Sequence, residues 1–127
     1  MGKQDVMAKI LPKGKGVWVP IDHGVTDFPC VGLENIEATI TAIIAGGANV
    51  IVAHKGVVDK YSHLCEGTAT SMIAHLSAST RHGGKNHSNK VLVGDVDEAI
   101  MRGAVGVSVQ ANICLLYTSP SPRDQEA

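Results

Sequence analysis

Four apolar runs in this sequence end in polar side chains that could transfer a proton or bind an anion. The first run ends at Asp22 and His23, and the second ends at His54 and Lys55. A carboxylate at a buried strand end can act as a general base, because desolvation and neighbouring charges shift the pKa of such a group. An ammonium group nearby could bind a phosphate or another acidic group. The third run is followed by His75 and Ser77, and the fourth by Gln110 and Asn112.

The apolar runs alternate with helical patterns, which is typical of a parallel sheet with crossover helices. Isoleucines recur at helical spacing over residues 34–45, and Gly46 and Gly47 end that helix. Asp95 and Glu98 have the spacing of a helix N-cap. Because sites in parallel α/β folds lie at the carboxyl ends of the strands, the four polar ends predict one polar pocket. The predicted strands are residues 17–21, 48–53, 71–76 and 105–109.

An internal repeat supports this alternation. Residues 44–52 and residues 100–109 both pass from a helix through Gly-Ala into an apolar strand. Two copies of one helix–turn–strand unit in so short a chain indicate repeated βα units rather than unrelated elements.

The composition argues against several classes of protein. The 127 residues carry a net charge of −1, and 18% of them are charged while 44% are hydrophobic. That balance disfavours a disordered chain and a nucleic-acid or membrane-surface protein held by bulk charge. No apolar run is long enough to span a bilayer, and no secretory signal core follows the N-terminus. Three cysteines at no metal spacing fit a reducing cytoplasm better than a disulfide framework.

Three segments are distinguished along the chain. Residues 1–16 carry four lysines and are predicted to form an exposed basic leader. Residues 17–113 contain the predicted βα units. Residues 114–127 have no helix or strand period and resemble a translated sequencing-adapter tail, so we expect them to be non-native. The alternative is a natural disordered tail rich in serine and proline.

A series of short motifs follows in order along the chain. They are VPIDHGV at 19–25, GLENI at 32–36, GGAN at 46–49, HKG at 54–56, HLSAST at 75–80, VDEAI at 96–100 and SVQANI at 108–113. With this series, residues 9–113 resemble the archaeal-type class I aldolases, a family that contains fructose-bisphosphate aldolases and 2-amino-3,7-dideoxy-D-threo-hept-6-ulosonate synthases. Gln110 stands where many synthases carry histidine, which weakens an assignment to the synthase branch.

The resemblance implies a TIM (β/α)8 barrel in which a lysine forms a Schiff base with a ketone substrate, without a cofactor. This chain would hold the first four strands, a half barrel. In the family the reactive lysine and a tyrosine acid/base lie on later strands, and neither Lys55 nor Lys60 matches that lysine. We therefore expect an inactive fragment of a cytoplasmic, homo-oligomeric aldolase that acts on a phosphorylated sugar or ketose.

The resemblance also implies roles for individual residues. Asp22 matches an aspartate that acts in proton transfer at the substrate, and it is the candidate catalytic residue. The loop after it, which contacts the substrate in the family, supplies four candidate substrate-binding residues: His23, Gly24, Val25 and Thr26. The other candidates for contact with a phosphorylated substrate are His54, Lys55 and His75.

Simpler explanations exist for the same side chains. Asp22 would cap the turn at Gly24, His54 would be a hydrogen-bonded sheet residue, and Lys55 would be solvated. His23, His54 and His75 at three strand ends could instead bind zinc, although no metal is our expectation. No Walker A loop and no dinucleotide-binding glycine pattern occurs.

A non-enzymatic half-barrel module, which binds a small anionic ligand or self-associates, is the alternative of a different class. Half a barrel leaves the edges of its first and fourth strands open, and open edges favour self-pairing or aggregation. A monodisperse dimer would favour the module. We expect insoluble or loosely folded material instead, because about half of the barrel core would be missing.

Overall fold

A four-stranded parallel sheet is the centre of the computed structural model, which describes residues 2–23, 31–78 and 91–111. Its three strand pairings are all parallel, so the prediction of a parallel α/β sheet is confirmed. The strands, side by side in this order, are β1 (Trp18–Pro20), β2 (Val50–Ala53), β3 (Ser71–His75) and β6 (Gly106–Ser108). Two shorter strands, β4 (Ser77–Ala78) and β5 (Val91–Leu92), form a separate antiparallel pair.

Helices connect the parallel strands. The described helices are α1 (Lys3–Ile10), α2 (Ile36–Ala45), α3 (Lys55–Tyr61) and α4 (Val96–Met101), with 3-10 turns at Pro12–Gly14 and Ser62–Cys65. Consecutive parallel strands need such crossovers because a tight hairpin can join only antiparallel neighbours. No helix within residues 2–23, 31–78 and 91–111 combines the length and apolar character needed to cross a bilayer.

The two faces of the parallel sheet carry different side chains, because successive residues of a strand point to opposite faces. Ile51 and Met72 lie side by side on the face that packs against the helices, where the main core is. Val50 and Ile73 lie on the other face, which we call the inner face, and pack against Ile10. The inner face is therefore apolar at its amino end.

The amino ends of α2 and α4 follow from the local sequence. Asn35 caps α2 by accepting from the backbone of Ala38 at 3.1 Å, so this helix begins two residues later than predicted. Asp95 accepts from the backbone of Glu98 at 2.8 Å, which confirms the predicted cap of α4.

The internal repeat predicted from the sequence is visible in how these helices end. Gly47 and Gly103 both have positive φ, at 82° and 106°. After each glycine, an alanine donates its N–H to the carbonyl five residues earlier, as in a Schellman motif: Ala48 to Ile43 and Ala104 to Ala99.

The prediction of an exposed leader is wrong at Ile10, whereas residues 12–16 are exposed as predicted. Residues 3–10 form α1, and Ile10 is buried against the inner face, where its carbonyl accepts from Trp18 Nε1 at 2.9 Å. The lysines dominated the sequence pattern, although Val6 and Leu11 also pack beside Ile10. The leader is thus a basic helix that covers the amino end of the sheet.

Helix α3 was not predicted. It begins directly after His54, and its Val58 is fully buried in the main core. The following 3-10 turn buries Cys65, a free cysteine, and burial raises the pKa of its thiol although the charge of Lys9 opposes that change. The predicted tail at residues 114–127 lies outside the described residues.

Replacing Gly103 by alanine should destabilise the chain more than replacing Gly47. Both substitutions put a side chain at positive φ, which costs about 1–2 kcal/mol. A Cβ at Gly103 would also overlap the side chain of Ser62, whereas the space around Gly47 is open. We expect about 1 kcal/mol for Gly47→Ala and about 2–4 kcal/mol for Gly103→Ala, measured by urea unfolding. Equal losses would show that Ser62 moves aside at no cost.

Candidate active site

Four polar side chains meet at the carboxyl end of the inner face. Asp22 follows β1, His54 follows β2, and His75 and Ser108 are the last residues of β3 and β6. The register sets His75 directly beside Ser108, and the alternation along each strand puts the other two on the same face. The predicted polar pocket at the strand ends therefore has a structural counterpart in these four residues.

His75 is the centre of this cluster. Its Nδ1 lies 2.6 Å from Ser108 Oγ, and its Nε2 lies 3.7 Å from Asp22 Oδ2. His54 Nδ1 lies 3.1 Å from the backbone carbonyl of His75, and the two imidazole rings are 5.8 Å apart. The contacts join all four parallel strands at their carboxyl ends.

The hydrogen bonds determine part of the protonation pattern. A carbonyl oxygen only accepts, so His54 must carry a proton on Nδ1 to donate to His75. Its Nε2 is then an acceptor when the ring is neutral. Asp22, when ionised, also only accepts, so a proton on His75 Nε2 makes their contact attractive.

The side chains of Asp22 and His75 differ in their exposure to solvent. The side chain of His75 is 12% exposed, while that of Asp22 is 25% exposed. A small molecule can therefore reach the carboxylate more easily than the imidazole. A partly desolvated carboxylate beside an N–H donor is suited to accept a proton from a bound substrate.

Ser108 is the residue of this cluster that sequence reasoning missed. The polar residues selected after the fourth run were Gln110 and Asn112, because they follow the apolar stretch. In the structure the backbone N–H of Gln110 donates to the buried Ser77 Oγ at 3.0 Å, and Asn112 lies outside the described residues. The register of β6 beside β3 is the signal that identifies Ser108, and it is available only once the pairing is known.

Lys55 contacts an acidic partner that the sequence did not suggest. Its Nζ lies 3.1 Å from Glu98 Oε1, and Arg102 contacts the same oxygen at 3.1 Å. Arg102 also lies 3.4 Å from Asp59, so one network joins α3 to α4. The Lys55 hydrogen bond, followed by that of Arg102, lowers the pKa of Glu98 although partial burial opposes the change.

The remaining predicted residues are not brought into the cluster. His23 is exposed immediately after Asp22. Gly24, Val25 and Thr26 lie outside the described residues. Within the part of the chain that the structure describes, no three His, Cys, Asp or Glu side chains are placed to hold a metal ion. The geometry therefore lends no support to the alternative in which His23, His54 and His75 bind zinc.

A sequence model described as DeoC/LacD family aldolase matches residues 16–120. The chain belongs to the DeoC/LacD family of aldolases. The match spans all four parallel strands and every residue of the cluster around His75, and it confirms the resemblance to class I aldolases. It also continues to residue 120, past the predicted boundary at residue 113, so the origin of residues 114–127 stays a prediction.

Three synthases are similar in sequence to this DeoC/LacD family member. The 2-amino-3,7-dideoxy-D-threo-hept-6-ulosonate synthase 1 of Archaeoglobus fulgidus is 34% identical over 113 residues, which cover 89% of this chain and 42% of the relative. The 2-amino-3,7-dideoxy-D-threo-hept-6-ulosonate synthase of Halobacterium salinarum is 34% identical over 112 residues, 88% of this chain and 41% of the relative. A 2-amino-4,5-dihydroxy-6-oxo-7-(phosphonooxy)heptanoate synthase of Streptomyces griseus is 36% identical over 95 residues, which cover 75% of this chain and 34% of the relative.

Solved aldolase structures share the fold. A Schiff-base-forming fructose-1,6-bisphosphate aldolase superposes with a TM-score of 0.66 at 22% identity, over 84% of this chain and 43% of that chain. An archaeal fructose-1,6-bisphosphate aldolase, with its catalytic lysine bound to a carbinolamine intermediate, superposes with a TM-score of 0.64 at 21% identity. This match also covers 84% of this chain and 43% of that chain. The predicted half of a TIM barrel is thereby confirmed, and the chain spans less than half the length of these relatives.

Replacing Glu98 by glutamine should destabilise the aldolase chain at neutral pH but have little effect in acid. Because its folded-state pKa lies below the ordinary value of about 4.3, the contribution of Glu98 is complete above that value. It is lost as the pH falls through the lowered pKa. Urea unfolding of both proteins should show a constant difference above about pH 5 that shrinks towards pH 3.

Lys55→Met supplies the matched background for this measurement. It removes the largest cause of the lowered pKa, so Glu98→Gln should show a smaller pH-dependent difference in that background. A difference that is the same at every pH, or in both backgrounds, would contradict the assignment of Lys55 as the partner of Glu98.

Proposed function

We propose that this chain forms the first half of a class I aldolase barrel, with Asp22 as the proton-transfer residue. The observation that carries the proposal is the cluster of Asp22, His75 and Ser108 at the carboxyl ends of the parallel strands. In TIM barrels the active site lies at that end. Membership of an aldolase family supplies the type of reaction.

The substrate we propose is a phosphorylated sugar or ketose. The names of the relatives support this class, because one synthase is named for a product with a ketone next to a phosphorylated carbon, and the structural neighbours are aldolases of a ketose bisphosphate. His23, Gly24, Val25, Thr26, His54, Lys55 and His75 are the proposed substrate-binding residues. We further propose a cytoplasmic location and a homo-oligomeric parent protein.

The proposed chemistry divides between an amine and a carboxylate. A lysine amine adds to the substrate ketone and loses water, and the resulting iminium group accepts the electron pair of the breaking carbon–carbon bond. Cleavage also requires a base that takes the proton from the hydroxyl group next to that bond. Asp22 is our proposed base, because its carboxylate is partly exposed beside the N–H-donating face of His75.

We propose that the reacting lysine lies outside the 127 residues. Lys55 forms an ion pair with Glu98, and the Lys60 ammonium lies over the ring of Tyr61, 5.4 Å from its centroid. Neither amine takes part in the described contacts of the Asp22 cluster. On this proposal the chain alone cannot form the Schiff base and is inactive.

A self-associating half-barrel module is the second candidate. Among the described strands, β1 and β6 each pair on one side only. Apolar residues at these edges are exposed: Val17 at 62%, Trp18 at 39% and Val109 at 42%. Open edges with exposed apolar side chains favour pairing with another chain. A single sharp dimer in size-exclusion chromatography with light scattering would favour the module, and a broad or insoluble distribution would favour the aldolase half.

Borohydride trapping tests the location of the lysine. The chain is incubated with fructose 1,6-bisphosphate and sodium borohydride, and its intact mass is measured. We expect no reduced adduct on the 127-residue chain, and one adduct on the complete product of the gene if its reading frame continues. Omission of borohydride is the control. An adduct on the 127-residue chain, mapped to Lys55 or Lys60, would refute the proposal that the reacting lysine lies elsewhere.

Asp22→Asn tests the base in the complete gene product. The amide keeps the shape of the carboxylate but cannot take a proton, so turnover should fall by about 10²–10⁴-fold. Borohydride trapping should persist, because Schiff-base formation uses the lysine. Asp59→Asn is the matched control, since Asp59 lies on α3 beside Arg102 and outside the cluster. Full turnover in Asp22→Asn would remove Asp22 from the mechanism.

A further inference from the structure

Ser108 and His75 form a hydrogen-bonded pair beside Asp22 at the carboxyl end of the inner face. The pair joins residues 33 positions apart, at the ends of two neighbouring strands, with a separation of 2.6 Å. Most of the core lies on the other face of the sheet, where side chains contact the helices. A short polar contact at the carboxyl end of the inner face points to a role in the site.

The order of the contacts differs from that of a serine hydrolase, although the three residue types are the same. In a hydrolytic triad the serine lies at Nε2 of the histidine and the carboxylate lies at Nδ1. Here Ser108 lies at Nδ1, and Asp22 lies at Nε2. Moreover, the side chain of Asp22 is twice as exposed as that of His75. The Nε2 side of His75 therefore faces the Asp22 carboxylate, and Ser108 lies on the opposite, Nδ1 side of the ring.

The charge of Asp22 selects one direction for the hydrogen bond between Ser108 and His75. If Nε2 of a neutral His75 lacked a proton, its lone pair would face the Asp22 oxygen, and two acceptors would repel each other. With the proton on Nε2, Nδ1 becomes an acceptor, and the hydroxyl of Ser108 is the donor that it needs. A serine hydroxyl can rotate to donate, so Ser108 can supply the hydrogen bond to Nδ1 while the proton on Nε2 makes the 3.7 Å contact with Asp22 attractive.

We propose that Ser108 and His75 are positioning residues for Asp22: the Ser108 hydroxyl holds His75 in its Nε2–H tautomer, and that N–H orients the Asp22 carboxylate. Oδ2 is the oxygen that faces His75, so Oδ1 is the atom that takes the substrate proton. Within the described part of the chain, His75 is the one side chain in ion-pair or hydrogen-bond contact with Asp22. This inference rests on the proposed role of Asp22 in aldol cleavage.

The first test reads the tautomer directly by nitrogen NMR. The longest polypeptide that the gene encodes is labelled with ¹⁵N-histidine, and the His75 signals are assigned by their loss in His75→Gln. We expect the Nε2–H form in the wild type and in Ser108→Thr, which keeps the hydroxyl, and a mixture of tautomers in Ser108→Ala. The Nδ1–H form in the wild type would overturn the proposal by itself, whether or not a variant folds.

The second test measures turnover with the same variants. Ser108→Ala should lower kcat by about 10–100-fold, as expected when a reacting group is misplaced, with KM nearly unchanged. Ser108→Thr should restore kcat, and borohydride trapping should be equal in all three proteins. A Ser108→Ala protein with wild-type kcat and an unchanged tautomer would overturn the positioning role.

The two tests separate this inference from the proposed function. If Asp22→Asn keeps full turnover, the proposed function fails, while the NMR result still decides whether Ser108 holds the tautomer of His75. If Asp22→Asn loses turnover but Ser108→Ala does not, the proposed function stands and the positioning role fails. Loss of kcat in Ser108→Ala together with mixed tautomers supports both.

Discussion

The parallel register of the four central strands is the constraint on which the rest of the structure depends. Ile73 lies beside Gly106, and two residues further along the same strands His75 lies beside Ser108. Since side chains alternate from face to face, His54 on the next strand comes to the same face. A slip of one residue in any pairing would move a polar strand end among the helices and an apolar side chain to the site. The register therefore specifies the core and the candidate active site together.

The inner face is divided along the strands into a closed apolar end and an open polar end. Helix α1 covers the amino end, where Ile10 packs on Val50 and Ile73. Asp22 and His75 lie at the opposite end, where the carboxylate remains partly exposed. Among the described residues, the carboxyl end of the inner face thus stays accessible to water at Asp22, while the apolar contacts at the amino end keep the strands in place. The basic segment before β1 contributes to this division by packing, a role that its lysines did not suggest.

Features that depend on neighbouring residues could be predicted from the sequence, and features that depend on pairing could not. The cap at Asp95 and the turn at Gly47 are local hydrogen-bond patterns, and both were predicted at the right place. Helix α3 contains Val57 and Val58, which favour strands, and burial of Val58 in the core outweighs that preference. Ser108 could not be identified without knowing that β6 lies beside β3. For the same reason the sequence suggested Asp22 and His75 separately but not the contact between them.

The location of the cluster bears on how a barrel could divide its chemistry between two halves. Each described contact between Asp22, His75 and Ser108 is made at the carboxyl ends of the four parallel strands. On the proposed mechanism, the amine that forms the Schiff base comes from outside these residues, whereas the base and its supports come from within them. The orientation of Asp22 then does not depend on the strand that carries the lysine. A base held by its own half of the barrel would already be in position when the other half closes the site, and only the distance between amine and carboxylate would remain to be set by the joining of the halves.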